Sequence, residues 1–362
     1  MTMTLPKDLP TADPSPDGVR LEPRGPLGQA LLRRLTGEGE RDEDEDLPSL
    51  ATRIAAGSDD LLQDDDVQFA LFLLYASHYG SLEQLDASLE WDPAIVEARR
   101  ALEAAFEHEL RERIPMPVLP RPEAGEVARA LFDLTSADTG PSLARYFAKK
   151  ATREQAEEFL MQRSIYTLRE ADPHSWAIPR LRGRPKAALV EIQSDEYGGG
   201  RPDRVHAEIY AKTMRSAGLD DRYGGYLGVA PAITLASLNM MSMFGLNRRL
   251  IGAIVGHLAA FEMTSSIPNR LYGDGFRRLG YDEATTDYFD EHVEADAVHE
   301  QIAGRDLAGS LAEDRPELLP DIMFGAAACL TVDGWAAAHM LRAWERGESS
   351  LRTRAEHGRA AS

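Results

Sequence analysis

Apolar residues recur at helical spacing along most of the chain, and this pattern constrains the fold more than any other feature of the sequence. Residues 66–79, DVQFALFLLYASHY, are apolar on most faces, which predicts a buried helix. Residues 93–114 follow Asp92 and carry Ala, Leu and Ile at helical spacing, which predicts a long amphipathic helix. Strand-like alternation is nearly absent, and no repeat with a period of 20–50 residues is found. The sequence therefore predicts an all-α helical bundle.

Changes in composition divide the chain into four predicted segments. Residues 1–46 are rich in Pro, Gly and charge and end in EGERDEDED, which is typical of a disordered acidic arm. Residues 47–122 contain helices followed by the proline-rich linker IPMPVLPRP, and residues 123–348 read as a larger helical domain. Residues 349–362 are expected to be a disordered tail. The helices of the second segment are too few to enclose a core alone, so we expect them to support a homodimer.

Charge and composition exclude several classes of function. The net charge is −20, with no basic stripe to offset it, which argues against nucleic acid and anionic membrane surfaces as partners. No run of 18 apolar residues is present, so we expect no membrane span, and the first residues lack the apolar core of a secretory signal. The expected location is the cytoplasm. Cys329 is the single cysteine, which excludes an intramolecular disulfide and a thiolate-rich zinc site.

The segment EHVEADAVH contains His292, Asp296 and His299, which are spaced four and then three residues apart. At about 100° per residue, the three side chains fall within roughly 60° of one another on a helix. Two imidazoles and a carboxylate then project in one direction, which predicts a metal-binding face. The alternative is a solvent-facing stretch of an acidic helix, because three glutamates are close by.

Other side chains upstream could complete such a site. Glu262 lies in LIGAIVGHLAAFEMTSS, where an unpaired carboxylate would be expensive to bury, and an ion pair with an arginine is the alternative to a metal ligand. His257 points about 140° away from Glu262 and is interpreted as structural. Glu170 ends the helical pattern EEFLMQRSIYTLRE, with a surface salt bridge as its alternative role. His206 opens RVHAEIYAKTM and is interpreted as a ligand, with a packed or surface histidine as the alternative.

Glu196 and Glu191 compete for one further ligand position. Glu196 precedes a run of three glycines, where a loop can turn its carboxylate towards the site, so we predict Glu196 as a direct or outer ligand. The complete set holds more oxygen and nitrogen donors than a single zinc ion uses, which favours iron or manganese. Carboxylates and histidines on inner helix faces build dinuclear sites in helical proteins. The sequence therefore predicts a non-haem dinuclear metal centre.

The order of these residues resembles the haem-oxygenase-like di-iron oxidases and oxygenases: Glu170, then E-YGGGRPDRV-H, then Glu262, then H-x3-D-x2-H. The intervals of 26, 10, 56 and 30 residues especially resemble the N-oxygenating branch of that family. The resemblance covers about residues 125–345 and implies a seven-helix bundle that holds two irons in place of haem. It also implies a helical dimerisation domain in front of the bundle. Because the chain ends soon after the bundle, we expect no C-terminal cupin domain and no N–N bond formation by one.

The resemblance implies an oxidoreductase that uses two irons, O2 as cosubstrate and an external electron donor such as a reductase. Its expected reaction is N-oxygenation of an amine or guanidine of a small amino-acid-like substrate in natural-product biosynthesis. The family also contains desaturases and carbon–carbon lyases that act on amino or fatty acids, so these remain alternatives. Iron storage and haem degradation are further alternatives, although haem would leave the extra acidic side chains unpaired. Candidate substrate contacts are Tyr166, Tyr197, Asn239, Met243, Arg248 and Asn269.

Overall fold

The structure is a computed structural model that describes residues 19–37, 46–137 and 142–353, except the side chains of residues 294–298. Within these ranges the chain is helical and contains no β-strand, as the sequence predicts. The helices of the first half are α1 Pro26–Thr36, α2 Leu47–Gly57, α3 Asp65–Tyr79, α4 Pro93–Arg113, α5 Ala124–Ser136, α6 Leu143–Lys150, α7 Arg153–Thr167 and α8 Asp172–Ser175. Those of the second half are α9 Gly183–Glu196, α10 His206–Ser216, α11 Ala232–Leu246, α12 Ile251–Met263, α13 Ser266–Arg278, α14 Glu283–Gln301, α15 Ser310–Asp314 and α16 Leu319–Glu345.

Local sequence signals set many of the helix boundaries. The Asp64 side chain caps α3 by accepting hydrogen bonds from the backbone N–H groups of residues 66 and 67, and Asp92 caps α4 in the same way. Thr152 and Gln155 form a reciprocal capping box at the start of α7. Gly218 follows α10 with a φ of 78°, which is a left-handed conformation that glycine adopts without strain.

Helices α12 and α16 cross at the centre of the bundle. Their backbones approach so closely that a Cβ added to Gly256 would lie 1.8 Å from the carbonyl oxygen of Ile322. A Cβ added to Gly325 would lie 2.0 Å from the carbonyl oxygen of Ala253. Glycine at both positions therefore permits a crossing that no other residue allows. Cys329 is buried on α16, as its small apolar surroundings predict.

The N-terminal helices share one hydrophobic core with the larger helical domain. Helix α3, buried on nearly all faces, packs on α11, and Asn239 Nδ2 donates hydrogen bonds to the backbone oxygen of Gln68 at 2.8 Å and to its Oε1 at 2.9 Å. The carboxylate of Asp66 accepts hydrogen bonds from the N–H groups of Leu27 and Gly28 at the start of α1. The apolar helices of residues 47–115 therefore find a packing partner within their own chain, and the homodimer stays a prediction.

The structure differs from the sequence prediction at both ends of the chain. Helix α1 lies inside the arm predicted to be disordered, and its leucines at 27, 31 and 35 are fully buried. In the rest of that arm the structure describes residues 19–25, 37 and 46. Residues 1–18 and 38–45 lie outside the described residues. In the predicted tail, Ser350 is buried and donates a hydrogen bond of 2.7 Å to Glu158. Residues 354–362 lie outside the described part of the chain.

Helix α13 is a further difference. The apolar pattern that begins at residue 248 predicts one helix that ends before Pro268, whereas α12 ends at Met263 and Pro268 lies in the first turn of α13. Proline is tolerated there because the first N–H groups of a helix have no intrahelical acceptor. The break between α12 and α13 directly follows Glu262, and the two helices are bent by 49° relative to each other.

One stretch, Pro316–Glu345, is long and apolar enough by length and composition to cross a bilayer. Within its most apolar window, 61% of the stretch is buried in the protein. The bent pair Arg248–Met263 and Ser266–Arg278 meets the same criteria when it is taken as one span. Core helices of soluble proteins have these properties too, and α12 and α16 form the centre of this bundle.

Candidate metal centre

Carboxylates and imidazoles from four helices and one turn converge inside the bundle. They form two groups in which one ligand atom from each residue lies within 4.8 Å of all the others. One group contains Glu170, Glu196, His206 and His292, and the other contains Glu196, Glu262 and His299. All these residues are buried, and Glu196 belongs to both groups. The arrangement therefore offers two neighbouring cation positions that share one carboxylate.

The glycine run brings Glu196 and His206 side by side. Glu196 is the last residue of α9 and His206 is the first residue of α10. Between them, Tyr197 and Val205 form an antiparallel bridge that closes the intervening loop. Gly198 has a φ of 75°, and a Cβ there would lie 2.7 Å from the backbone nitrogen of Val205. The closed loop leaves Nδ1 of His206 3.0 Å from Oε2 of Glu196.

Helix α14 supplies an imidazole to each group. Nε2 of His292 lies 3.6 Å from Oε1 of Glu170, which follows α7 in a turn. Nδ1 of His299 lies 3.4 Å from Oε2 of Glu262 on α12. Asp296, the third member of the predicted metal-binding face, lies on α14, but its side chain is outside the described residues.

Hydrogen bonds from neighbouring residues orient the converging side chains. The hydroxyl of Tyr288 lies 2.8 and 2.9 Å from the two oxygens of Glu170. Nδ1 of His292 is 2.7 Å from the carbonyl oxygen of Tyr288 and donates to it, which directs Nε2 towards Glu170. Nε2 of His299 is 3.0 Å from Oδ2 of Asp195 and leaves Nδ1 facing Glu262. Such partners fix the ring orientation of metal-binding histidines.

The electrostatics of the site favour cations. Burial alone would raise the pKa of the Glu170 carboxyl, but His292, His206 and Tyr288 outweigh burial and lower it. Burial would lower the pKa of His206, but the adjacent Glu196 outweighs burial and raises it. For His299, Glu262 and Asp195 likewise outweigh burial and raise the pKa to about 9. A raised pKa favours the protonated form of each imidazole, and a metal ion would have to displace that proton.

The residues present fit a dinuclear iron site on two grounds. The donors are carboxylate oxygens and imidazole nitrogens, a set that suits iron or manganese. In addition, Nδ1 of His206 and Nδ1 of His299 are buried and lie near a carboxylate without forming a well-aligned hydrogen bond. A cation between each imidazole and its carboxylate would satisfy both nitrogens, because buried polar atoms normally have partners.

Two alternatives raised by the sequence lie away from this cluster. Glu191 is exposed on α9, so Glu196 is the glutamate that joins the other side chains. His257 is fully buried and its Nδ1 lies 3.2 Å from Nε2 of His174, so it pairs with another histidine and joins neither group. Tyr288 and Asp195 are contacts that the sequence analysis missed, because neither stands out from its helix pattern.

A cavity of about 260 Å³ adjoins the cluster, with Glu170 and His292 in its wall. Two of the six candidate substrate contacts, Tyr166 and Asn269, line this cavity. The other four candidates lie elsewhere, in the core or at the surface: Tyr197, Asn239, Met243 and Arg248. The cavity wall also contains Arg163 and Asp333, which the sequence analysis did not single out because nothing in their local sequence distinguishes them from surface charges.

Comparison with known proteins agrees with this geometry. Residues 157–334 match the model of the family of iron-containing redox enzymes. Over 177 residues the chain is 27% identical to a nitrosourea synthase from Streptomyces achromogenes subsp. streptozoticus. That match covers 48% of this chain and 38% of the nitrosourea synthase. A CADD-like protein of unknown function from Nostoc punctiforme is 15% identical, with a TM-score of 0.49 over 60% of this chain and 97% of that one.

The matched residues include all seven predicted ligands, from Glu170 to His299. The all-α bundle agrees with the fold that the sequence predicts. Residues 157–334 therefore form a haem-oxygenase-like domain of the family of iron-containing redox enzymes.

Proposed function

We propose that this protein is an O2-activating non-haem di-iron oxygenase that transfers oxygen to an amine or guanidine nitrogen of a small amino-acid-like substrate. The observation that carries the proposal is the pair of ligand groups sharing Glu196. One group alone would suit a single ion, whereas two groups with a common carboxylate suit a dinuclear centre. We further propose a cytoplasmic enzyme of natural-product biosynthesis that takes electrons from a reductase and acts as a homodimer.

Two irons held by these residues would supply the redox chemistry that activates O2. We propose that Glu170, His206 and His292 would hold one iron, that Glu262 and His299 would hold the other, and that Glu196 would serve both. Asp296 on α14 is proposed as a further ligand. Tyr288 holds the Glu170 carboxylate in place, and Asp195 does the same for the His299 ring. The buried position of the cluster excludes bulk water from the reacting atoms.

Two features favour nitrogen as the atom that receives oxygen. The cavity beside the cluster contains the carboxylate of Asp333, which suits a cationic amine or guanidine better than an aliphatic acid. Glu196 adds a further anionic ligand, and this carboxylate resembles the extra carboxylate of the N-oxygenating branch. The name of the nitrosourea synthase also refers to a compound with oxygen on nitrogen.

Iron loading tests the ligand assignment. Anaerobic reconstitution with Fe(II) should load about two irons per chain, as expected for a carboxylate-sharing pair. Glu196→Ala should reduce the iron content and abolish turnover, because both positions lose a ligand. Glu191→Ala is the matched control on the same helix and should load as the unaltered protein does. Normal loading of Glu196→Ala, or tight binding of one zinc without reactivity towards O2, would contradict the assignment.

Isotope labelling tests the reaction. The iron-loaded protein is given 18O2, a chemical reductant and a panel of amino acids with amine or guanidine side chains, and the products are analysed by mass. Heavy oxygen retained on nitrogen is the expected result. Release of CO2 or formaldehyde, or loss of two hydrogens without heavy oxygen on nitrogen, would contradict N-oxygenation.

Desaturation or carbon–carbon cleavage by the same centre is the second candidate function. The observation that favours it is the apolar part of the cavity wall, which includes Leu238, Met241 and Phe261 and suits an aliphatic chain. In the labelling experiment this function would give an alkene or a shortened product. Iron storage predicts instead that many irons are taken up per chain and that no organic product forms.

A further inference from the structure

Two charged side chains in the cavity wall make no direct ion pair with the residues that the structure describes. Arg163 lies on α7 and Asp333 on α16, and both line the cavity beside the metal centre. Neither makes an ion pair with any residue that the structure describes. The two groups influence each other's charge without touching, so each has hydrogen-bonding capacity left for a charged group of a ligand in the cavity.

Arg163 offers a positive charge that no carboxylate of the described residues contacts directly. Its guanidinium carbon lies 5.7 Å from the centroid of the Phe159 ring, and its Nε is buried without a hydrogen-bond acceptor. An arginine side chain keeps its proton at any physiological pH, so burial does not discharge it. Its remaining N–H groups have the geometry to bind a carboxylate in bidentate fashion.

Asp333 offers the complementary negative charge. Its Oδ1 accepts a hydrogen bond of 2.5 Å from the hydroxyl of Ser237, and Sγ of Cys329 lies 3.8 Å from its Oδ2. Burial raises the pKa of the Asp333 carboxyl, and the nearby Arg163 and Ser237 offset only part of this effect. A cationic group of a ligand would hold the carboxylate in its charged form.

The position of this pair relative to the metal centre limits the length of the ligand. Arg163 precedes Glu170 by seven residues along α7 and the turn that follows it, which corresponds to about 10 Å at 1.5 Å per residue. An extended chain advances about 1.2 Å per bond, so about eight bonds cover that distance. The cavity wall also includes Tyr166, Met241 and Phe261, which suit the methylene groups of a side chain.

We propose that Arg163 and Asp333 bind the head group of a zwitterionic α-amino acid, Arg163 its carboxylate and Asp333 its ammonium group, with the side chain directed at the metal centre. The inference rests on the proposed function in taking this cavity as the substrate site. It assigns two specificity-determining residues that lie outside the predicted ligand set.

Calorimetric titration of the full-length, metal-free protein tests the assignment without requiring catalysis. The probes are L-arginine, agmatine, which lacks the carboxylate, and 5-guanidinopentanoate, which lacks the α-amino group. L-Lysine, cadaverine and 6-aminohexanoate form a second set with a shorter side chain. In at least one set the amino acid should bind about tenfold or more tightly than either analogue, because a hydrogen-bonded charge contributes about 1.5–3 kcal/mol.

Two variants separate the roles. Arg163→Met should remove the preference for the amino acid over the decarboxylated amine and keep its preference over the des-amino acid. Asp333→Asn should keep the preference for the amino acid over the decarboxylated amine and remove its preference over the des-amino acid. Arg163→Lys should recover part of the lost preference and serves as the second variant if Arg163→Met does not fold. Arg248→Met is the matched control, because Arg248 is exposed away from the cavity. Circular dichroism establishes that each variant is folded.

Equal binding of all three probes in both sets would overturn the proposal, as would loss of both preferences together in each variant. Iron content and product formation are measured separately on the loaded protein. A crossed binding pattern in a protein that fails to load iron would refute the proposed function and leave this inference standing. Normal N-oxygenation without discrimination among the probes would support the proposed function and refute this inference.

Discussion

At the scale of single residues, the buried pair His174 and His257 has a clear consequence for stability. Their rings lie 3.2 Å apart at the nearest nitrogens, deep in the core and next to Phe261. Burial lowers the pKa of His174 to about 3, and burial also lowers that of His257. Both rings are therefore neutral in the folded protein at pH values where an unfolded chain would already bind protons.

This pair predicts a loss of stability in acid. Because the folded pKa of His174 lies below the unfolded value of about 6.5, its contribution is fully present above pH 6.5 and is lost as the pH falls towards 3. Replacing one such histidine by Gln should reduce the slope of the unfolding free energy against pH in this range by about 1.4 kcal/mol per pH unit. Urea unfolding of metal-free His174→Gln between pH 6.5 and 4.5 measures this. His108→Gln, at an exposed position, is the control, and equal slopes in the two variants would refute the prediction.

The sequence was informative about residues whose chemistry conflicts with their surroundings. A carboxylate in the apolar segment around Glu262 and two histidines on one helical face both stand out from their neighbours, and the structure brings these side chains together. Tyr288, Asp195, Arg163 and Asp333 carry no such signal. Their importance comes from partners that are remote along the chain, and one helix pattern shows which face is buried but not what it meets.

At the scale of elements, the crossing of α12 and α16 fixes the position of Glu262. The helices touch at Gly256 and Gly325, and Glu262 lies six residues after Gly256 on α12. Any side chain at Gly256 must move one helix away from the other, because the obstructing atom is a backbone oxygen. The separation would also displace Glu262 from His299.

Gly256→Ala should therefore destabilise the protein by about 1–3 kcal/mol or more and reduce its iron content. Gly334→Ala on α16 is the matched control, because a Cβ there meets no atom within 4 Å. By helix propensity alone that control should be neutral or stabilising by up to about 1 kcal/mol. Thermal unfolding and iron analysis of both variants provide the measurements, and equal behaviour of the two would contradict the close approach.

Helix positions were largely predictable, whereas some boundaries were not. Caps such as Asp92 and breaks such as Gly218 act within a few residues, so the pattern shows them directly. Helix α1 was missed because its leucines are buried by distant helices, although its surroundings are polar and proline-rich. Helix α13 was missed because a proline in a first turn and a proline that ends a helix look alike in sequence.

At the scale of the whole molecule, the N-terminal helices and the iron-enzyme domain share one core. Deleting residues 1–115 should expose the face of α11 that packs on α3 and give an aggregating, inactive protein. Size-exclusion chromatography and light scattering of the truncated chain measure this outcome. A soluble and active product would contradict the packing. The same measurement on the full chain tests the homodimer.

The packing of α3 on α11 also has a consequence for synthesis, because α3 is made long before the helix that covers it. Gln68 and its hydrogen-bond partner Asn239 are 171 residues apart, so the ribosome releases a helix that is buried on nearly all faces in the folded protein long before α11 exists. At about 5–20 residues per second, α3 waits roughly ten seconds or more for α11. During that interval the apolar side chains of α3 are exposed, and we expect chaperones that bind apolar segments to bind the nascent chain. The yield of folded protein should therefore depend on translation speed between residues 80 and 246 more than elsewhere.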